Sequence, residues 1–331
     1  MQIQRPFRED TMGCARFSDF AAWAVTFMLV TAVAGQAGAG EVWVTNMVSA
    51  NVTVINPDTM VVVATIPADK GAHNVTLSPD GNLAFIANNR ANNVTIINAV
   101  GKKVLGTVPT GKKTHQVSVS PDGTLAVSSN SGTDFVTLID VNAKQPIGEI
   151  TTADGAVRSV FSPDGTKLYV TNKWAANVSV VDIESRQVTR TLPGRRGMNV
   201  FIPTSDWSQA WATSPDEGKI LLIDLVKEEI AAEIPVPGEP HAMALSPDGG
   251  SLYVVQQRLN QIAVVDTVSR KIVKTASLGY WPEMVAISPD GGDLFVVIAG
   301  ENKLVKLSAS DLSVEGVAAT GYQPHGVAYR P

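Results

Sequence analysis

Beyond an apolar N-terminal run, hydrophobic and polar residues alternate in short stretches with a period of 2 rather than 3.6, and turn residues separate the stretches. Such alternation marks strands with one buried face. Across residues 157–193 it predicts four strands, Arg158–Phe161, Lys167–Thr171, Asn177–Val181 and Gln187–Leu192. Between the first two, Ser162-Pro163-Asp164-Gly165 reads as a tight hairpin, because proline pre-sets the second turn position and glycine accepts a positive φ. The pattern then recurs. Asp80, Asp122, Asp164, Asp206, Asp248 and Asp290 stand 42 residues apart, and the same step relates Asn56, Asn98, Asp140, Asp182, Asp224 and Asp266, as well as Asn46, Asn88, Asn130 and Asn172. Four strands per unit, in seven units that fill residues 38–331, is the arithmetic of an all-β, seven-bladed propeller of four-stranded antiparallel sheets. A helical solenoid would show period 3.6, and a parallel β-helix has shorter coils. The array opens on a second strand, Glu41–Thr45, and ends on a first strand, His325–Tyr329. The two ends are therefore expected to complete one blade and close the ring, leaving no exposed edge.

The literal Tyr169-Val-Thr-Asn172, with Trp43-Val-Thr-Asn46, the Ser-Pro-Asp-Gly turns and the final Pro324-His-Gly-Val327, resembles the YVTN-family β-propeller repeat proteins of bacteria and archaea. The resemblance covers essentially all of residues 40–331 and speaks to fold far more than to function. It implies an exported or surface propeller; some members are associated with quinone-cofactor or cytochrome systems and many have no known activity, so an accessory role beside a periplasmic redox system belongs to the same expectation. One unit departs from the pattern. In Ile202-Pro-Thr-Ser-Asp-Trp207, tryptophan stands where the turn glycine belongs, which predicts a widened or bulged hairpin there.

The chain has 331 residues, 44% of them hydrophobic and 17% charged, with a net charge of -5. This balance excludes a disordered chain. The acidic surplus argues against a nucleic-acid partner, and the repeat array predicts a monomer. Residues 20–40 carry no charge, and the apolar Phe20–Ala34 precedes Ala37-Gly38-Ala39. That is the layout of a signal peptide over residues 1–39, cleaved after Ala39, with Arg5, Arg8 and Arg16 as an imperfect basic region. Met12 competes with Met1 as the start. The expected location is periplasmic or secreted, with no membrane span after cleavage; an uncleaved anchor is the alternative, since the uncharged run is just long enough to span a bilayer. The single cysteine, Cys14, lies in this leader, so disulfides and cysteine-built metal sites are excluded from the propeller.

All four histidines, His73, His115, His241 and His325, occupy one phase of the repeat, seven residues before the turn aspartate; Val157, Asn199 and Glu283 fill that phase in the other units. Common descent of the repeats accounts for the placement. Geometry adds that this phase begins each inner strand, at the mouth of the central channel, and that ring closure sets His325, His73 and His115 on adjacent blades. Three neighbouring imidazoles are a donor set for Cu or Zn, the alternative being rim histidines that touch a ligand or partner without metal. At their ordinary pKa near 6.5, such imidazoles would change ligand binding between about pH 5 and 8, protonation favouring an anion and expelling a metal. Two sets of loops are expected on the same face, carrying Arg158, Trp174, Arg195, Arg196, Tyr280, Trp281 and Tyr322. Arg195 and Arg196, assisted by Arg158, suit an anion. Trp174 and Trp281 suit a partner-binding patch or, equally, wedges between blades.

No reaction is legible. H-E-x-x-H and G-x-S-x-G are absent. Gly106–Lys113 imitates a phosphate loop but has Lys113 where Ser or Thr must hold magnesium. A lactonase-type propeller would place a Glu/Asn/Asp metal set in the channel, and this phase supplies only Glu283 and Asn199. The expected role is thus binding or scaffolding, for a protein partner or small ligand at the channel mouth. The rival is a metal-dependent enzyme or a copper- or zinc-binding redox subunit.

Overall fold

Each unit folds as its alternation requires. In the unit around Tyr169 the strands are Ala156–Phe161, Lys167–Asn172, Asn177–Asp182 and Gln187–Pro193, within two residues of the expected bounds. The structure, a computed structural model, describes residues 40–331, so the leader with Cys14 and the Ala37-Gly38-Ala39 site lies outside the described residues. Seven such antiparallel sheets form the ring, each with its first strand innermost. Among the described residues no helix is long and apolar enough to cross a membrane.

The polar repeat positions are structural clamps. In the first hairpin of a unit, Ser162 Oγ donates to Asp164 Oδ1 at 2.5 Å, Thr166 N donates to the same oxygen, and Lys167 N donates back to Ser162 Oγ. The second aspartate series closes the turn to the outer strand, as where Ser185 N donates to Asp182 Oδ1. In four of the seven blades a buried asparagine ends the second strand and ties it to the third: Asn172 Nδ2 donates to Asn177 Oδ1 and to Ser179 Oγ, both at 2.8 Å. These groups are spent on turns and strand pairs, which removes both aspartate series as acid–base candidates.

The hairpin at Trp207 corrects one expectation. It is neither wider nor bulged: Trp207 N donates to Thr204 O at 2.9 Å, as Gly165 N does to Ser162 O. Trp207 takes the left-handed conformation itself, with φ 56°, a strain of about 1 kcal/mol or more for a non-glycine residue. Its ring packs 5.5 Å from that of Tyr169 on the preceding blade, which offsets the strain. The inner strand of this blade is shortened to Phe201–Pro203, but at its far end, away from the hairpin.

Closure is made by Pro324–Arg330, which pairs antiparallel with Glu41–Asn46 and becomes the innermost strand of that blade. The blade is then packed on both sides. Trp43, Val52 and Val54 meet Ala72, Val75 and Ile86 of the next blade; Val42, Val44 and Ile55 meet Phe295, Val297 and Leu304 of the previous one. Gly326 is needed for this approach, because a Cβ there would lie 2.7 Å from His73 O and 2.9 Å from Thr45 Oγ1. Truncation after Gln323 should expose both apolar interfaces and an unpaired edge. At about 25 cal/mol per Å² the loss is several kcal/mol, lowering the melting temperature by roughly 10 °C. A truncated chain that melts within a degree or two of the full one would contradict closure.

Candidate functional site at the channel mouth

The site is built from the backbone. Two residues ahead of each phase position the chain turns through the left-handed region: Gly71, Lys113, Gly155, Gly197, Glu239, Trp281 and Gln323 all have φ between 54° and 83°. Glycine does this without strain in three units. In three others an asparagine of the previous blade holds the turn, accepting from the backbone N–H of Lys113, Trp281 or Gln323 at 2.8–2.9 Å. Directly after the turn, the register between first and second strand slips by one residue in six of the seven blades. The slip falls on the phase of His73, His115, Val157, His241, Glu283 and His325. A bulge re-aims a side chain and ends pairing, which is why these residues converge on the channel mouth.

The four histidines and Glu283 are brought together there. The ring centroids of His73 and His325 are 3.8 Å apart, those of His73 and His115 4.3 Å, and those of His241 and His325 6.2 Å. Hydrogen bonds to the next blade set the tautomers. His325 Nδ1 lies 3.0 Å from His73 O, and His73 Nδ1 lies 3.0 Å from His115 O. A carbonyl only accepts, so each Nδ1 carries the proton and each neutral ring keeps a bare lone pair on Nε2; Asn74 Nδ2, 3.1 Å from His73 Nδ1, has its own acceptor in the same His115 O. Asn199 follows the same rule, donating through Nδ2 to His241 O at 3.2 Å.

Glu283 is the residue that sequence reasoning missed as a centre of the site. Its Oε2 lies 3.2 Å from His241 Nε2 and 3.6 Å from His325 Nε2, while Trp281 Nε1 donates to Oε1 at 2.9 Å. Burial pushes its carboxyl up to about 7, against the lowering effect of the bonds from Trp281 and Gln257. The signal was present in the sequence, as the one acidic residue at the histidine phase. The trio expected as metal donors, His73, His115 and His325, is present as a row of closely packed, mutually tilted rings. The nitrogen and oxygen atoms within 4.8 Å of one another belong instead to His241, Glu283 and His325.

Arg158 reaches across the channel, its Nη2 3.4 Å from Met284 Sδ three blades away. No carboxylate pairs with it among the described residues, and burial lowers it to about 10. The expected anion pocket with Arg195 and Arg196 does not form. Arg195 is turned outward, 2.6 Å from Glu233 and 3.7 Å from Glu217 of the next blade, and Arg196 is exposed. The aromatic residues split their roles. Trp174 is exposed, leans on Gly155 and carries Lys173 Nζ 5.1 Å above its ring. Trp281, Tyr280 and Tyr322 are exposed around the mouth, with Trp281 also aiming Glu283. A cavity of about 500 Å³ beside the Glu239 turn, lined by Asp216, Glu217, Glu239 and Arg258, has its cation already paired, Arg258 with Glu239.

Buried polar atoms at the mouth lack partners: His115 Nδ1, His241 Nε2, Arg158 Nε and Asn199 Oδ1. His241 Nε2 is near Glu283 but not aligned for a hydrogen bond. The imidazoles also depart from the expected pKa near 6.5. Burial, with Arg158 and Lys173 nearby, lowers His73 to about 4 and His241 to about 3; burial, the neighbouring histidines and Arg158 hold His115 and His325 well below the ordinary range. The consequence for stability has a definite sign. The unfolded histidines take up protons near pH 6.5 and the folded ones far lower, so folding weakens as pH falls from about 6.5 toward 4. Glu283 opposes this, protonated in the folded state up to about 7 and so favouring folding as pH falls toward 4.5. Four groups outweigh one. The melting temperature should fall steadily from pH 6.5 to 4.5, and His73→Asn with His241→Asn should flatten the slope; a flat wild-type profile would contradict the buried neutral cluster.

Comparison with known proteins agrees with this architecture. A seven-bladed β-propeller lactonase family model matches residues 96–311, and a YNCE-like β-propeller model matches residues 14–144. None of the curated proteins compared matches the chain. Among solved structures, a Kuenenia stuttgartiensis hydrazine synthase chain superposes with a TM-score of 0.72 at 19% identity, over 80% of this chain and 91% of that one. A dihydro-heme d1 dehydrogenase gives 0.67 at 17%, over 87% and 74%, and a functionally unknown protein from Desulfotomaculum acetoxidans gives 0.76 at 16%, over 87% and 98%. At these identities the likeness is one of fold. The lactonase family is the one that the expected Glu/Asn/Asp donor set argued against; the donors present are His241, Glu283 and His325, and membership stands on the match. With seven closed blades and a family model spanning well over half its length, the chain belongs to the seven-bladed β-propeller lactonase family.

Proposed function

We propose that this propeller is an exported binding protein, periplasmic or secreted, whose channel mouth takes up a small organic anion. The observation that carries the reading is Arg158, a guanidinium in the channel with no carboxylate partner among the described residues and an unpartnered Nε. A buried charge without a counter-charge is costly, and a ligand carboxylate would supply both the charge and a second hydrogen bond to the guanidinium fork. The unpartnered Asn199 Oδ1 would bond a ligand hydroxyl. A hydroxycarboxylate, the product of opening a lactone, has this combination of groups and accords with the family. Exposed Trp174, Tyr280, Trp281 and Tyr322 would dock a partner protein over the mouth, in keeping with an accessory role beside a periplasmic redox system.

Calorimetric titration with gluconate, citrate and inorganic phosphate tests this. At least one should saturate with one site per chain, and Arg158→Leu should weaken it by about 10- to 100-fold while melting no lower than the wild type, since it removes an unpaired buried charge. No saturable binding, or equal binding by both proteins, would overturn the reading. Hydrolysis of glucono-δ-lactone above its spontaneous rate would replace a binding protein with an enzyme.

A further inference from the structure

We infer that His241, Glu283 and His325 form a three-donor site for a divalent transition metal, zinc being the simplest occupant, with one coordination position left open toward the channel. This site does not depend on what Arg158 binds. A tetrahedral ion with bonds of about 2.1 Å separates its ligand atoms by about 3.4 Å, and the two contacts of Glu283 Oε2, 3.2 Å to His241 Nε2 and 3.6 Å to His325 Nε2, bracket that edge. All three donor atoms lie within 4.8 Å of one another.

The surroundings prepare the donors. His325 gives its Nδ1 proton to His73 O, so its Nε2 lone pair is the one directed at Glu283. A ligating imidazole fixed through its other nitrogen by a backbone carbonyl is the usual support of a metal-bound histidine. His241 Nε2 is buried and makes no hydrogen bond, although a carboxylate oxygen lies 3.2 Å away. The contact leaves that nitrogen without a satisfied hydrogen bond, and a cation placed between His241, Glu283 and His325 would serve all three atoms at once. Glu283 is steadied on its far oxygen by Trp281 Nε1. The three donors come from three consecutive blades, His241 on Pro240–Leu245, Glu283 on Pro282–Ile287 and His325 on Pro324–Arg330. The last of these is the closing strand, so the site exists only in the closed ring. Two imidazoles and one carboxylate select zinc, copper or nickel over magnesium or calcium. Three protein donors with an open fourth position is the arrangement of sites that bind or activate a small molecule rather than of structural ones, which are closed by four.

Tag-free protein stripped with a chelator and titrated with Zn²⁺ should bind one ion per chain. His325→Ala or Glu283→Gln should weaken binding by at least about 100-fold, since loss of a group that only supports a ligand already costs 10- to 100-fold. Trp281→Phe, which leaves all three donors in place, should weaken it by about 10-fold. Co²⁺ in place of zinc should give the strong visible absorption of a tetrahedral site, absent in the donor variants. Melting of each metal-free variant separates loss of binding from loss of fold. Zn²⁺ binding that is equal in the wild type and a His241→Ala, His325→Ala double variant, or absent altogether, would overturn the site; a silent Zn²⁺ titration beside a positive anion titration would leave the Arg158 reading standing.

Discussion

The pairing of Pro324–Arg330 with Glu41–Asn46 is the contact on which the rest of the molecule depends. It joins residues nearly 290 positions apart in sequence, and it does three things at once. It removes the sheet edges that an open array would expose. It buries the faces of Glu41–Asn46 against both neighbouring blades. It also delivers His325 to its place between Glu283 and His73, where Thr45 Oγ1 accepts from Gly326 N and donates to His73 O, both at 2.8 Å. Fold and candidate site are therefore coupled: an open ring would lose the interface and separate the imidazoles together.

Within the closed ring, desolvation governs the chemistry. Five titratable side chains and a guanidinium share a narrow channel mouth, and no arrangement there can hydrate all of them. The molecule resolves this by keeping the imidazoles neutral, each of the well-placed ones bonded through Nδ1 to the next blade, and by letting the Glu283 carboxyl titrate near neutrality. What remains unsatisfied divides by charge. Arg158 asks for an anion; the Nε2 atoms beside Glu283 ask for a cation. The two requests are compatible, because the cationic arginine and the carboxylate-bearing cluster stand on different blades, and because each occupant would lessen the charge left by the other.

Much of this was legible in the sequence because a repeat reports the same geometry seven times. The 42-residue step fixed the number of blades, the shared histidine phase placed all four rings on one face, and the strand count at the two ends foretold closure. What escaped was whatever a single unit does differently, or does to its neighbour. Glu283 looked like one substitution among seven until its carboxylate was seen between two imidazoles. Arg195 looked free because its partners, Glu217 and Glu233, belong to another blade. Trp207 looked incompatible with its turn because propensity weighs the backbone alone, whereas Tyr169 supplies the compensating contact. The imidazole pKa values were misjudged for a related reason: a rim position suggests water, and the backbone slip turns the side chains inward instead.

The central claim is that ring closure holds His73 and His325 neutral, each with its proton on Nδ1 and its Nε2 lone pair facing the channel. Long-range ¹H–¹⁵N correlation spectra of the histidine rings in metal-free protein test it directly. At pH 6 the account predicts neutral rings for all four histidines, with the Nδ1–H form for His73 and His325. Imidazolium signals at that pH, or the proton on Nε2 in these two rings, would contradict it.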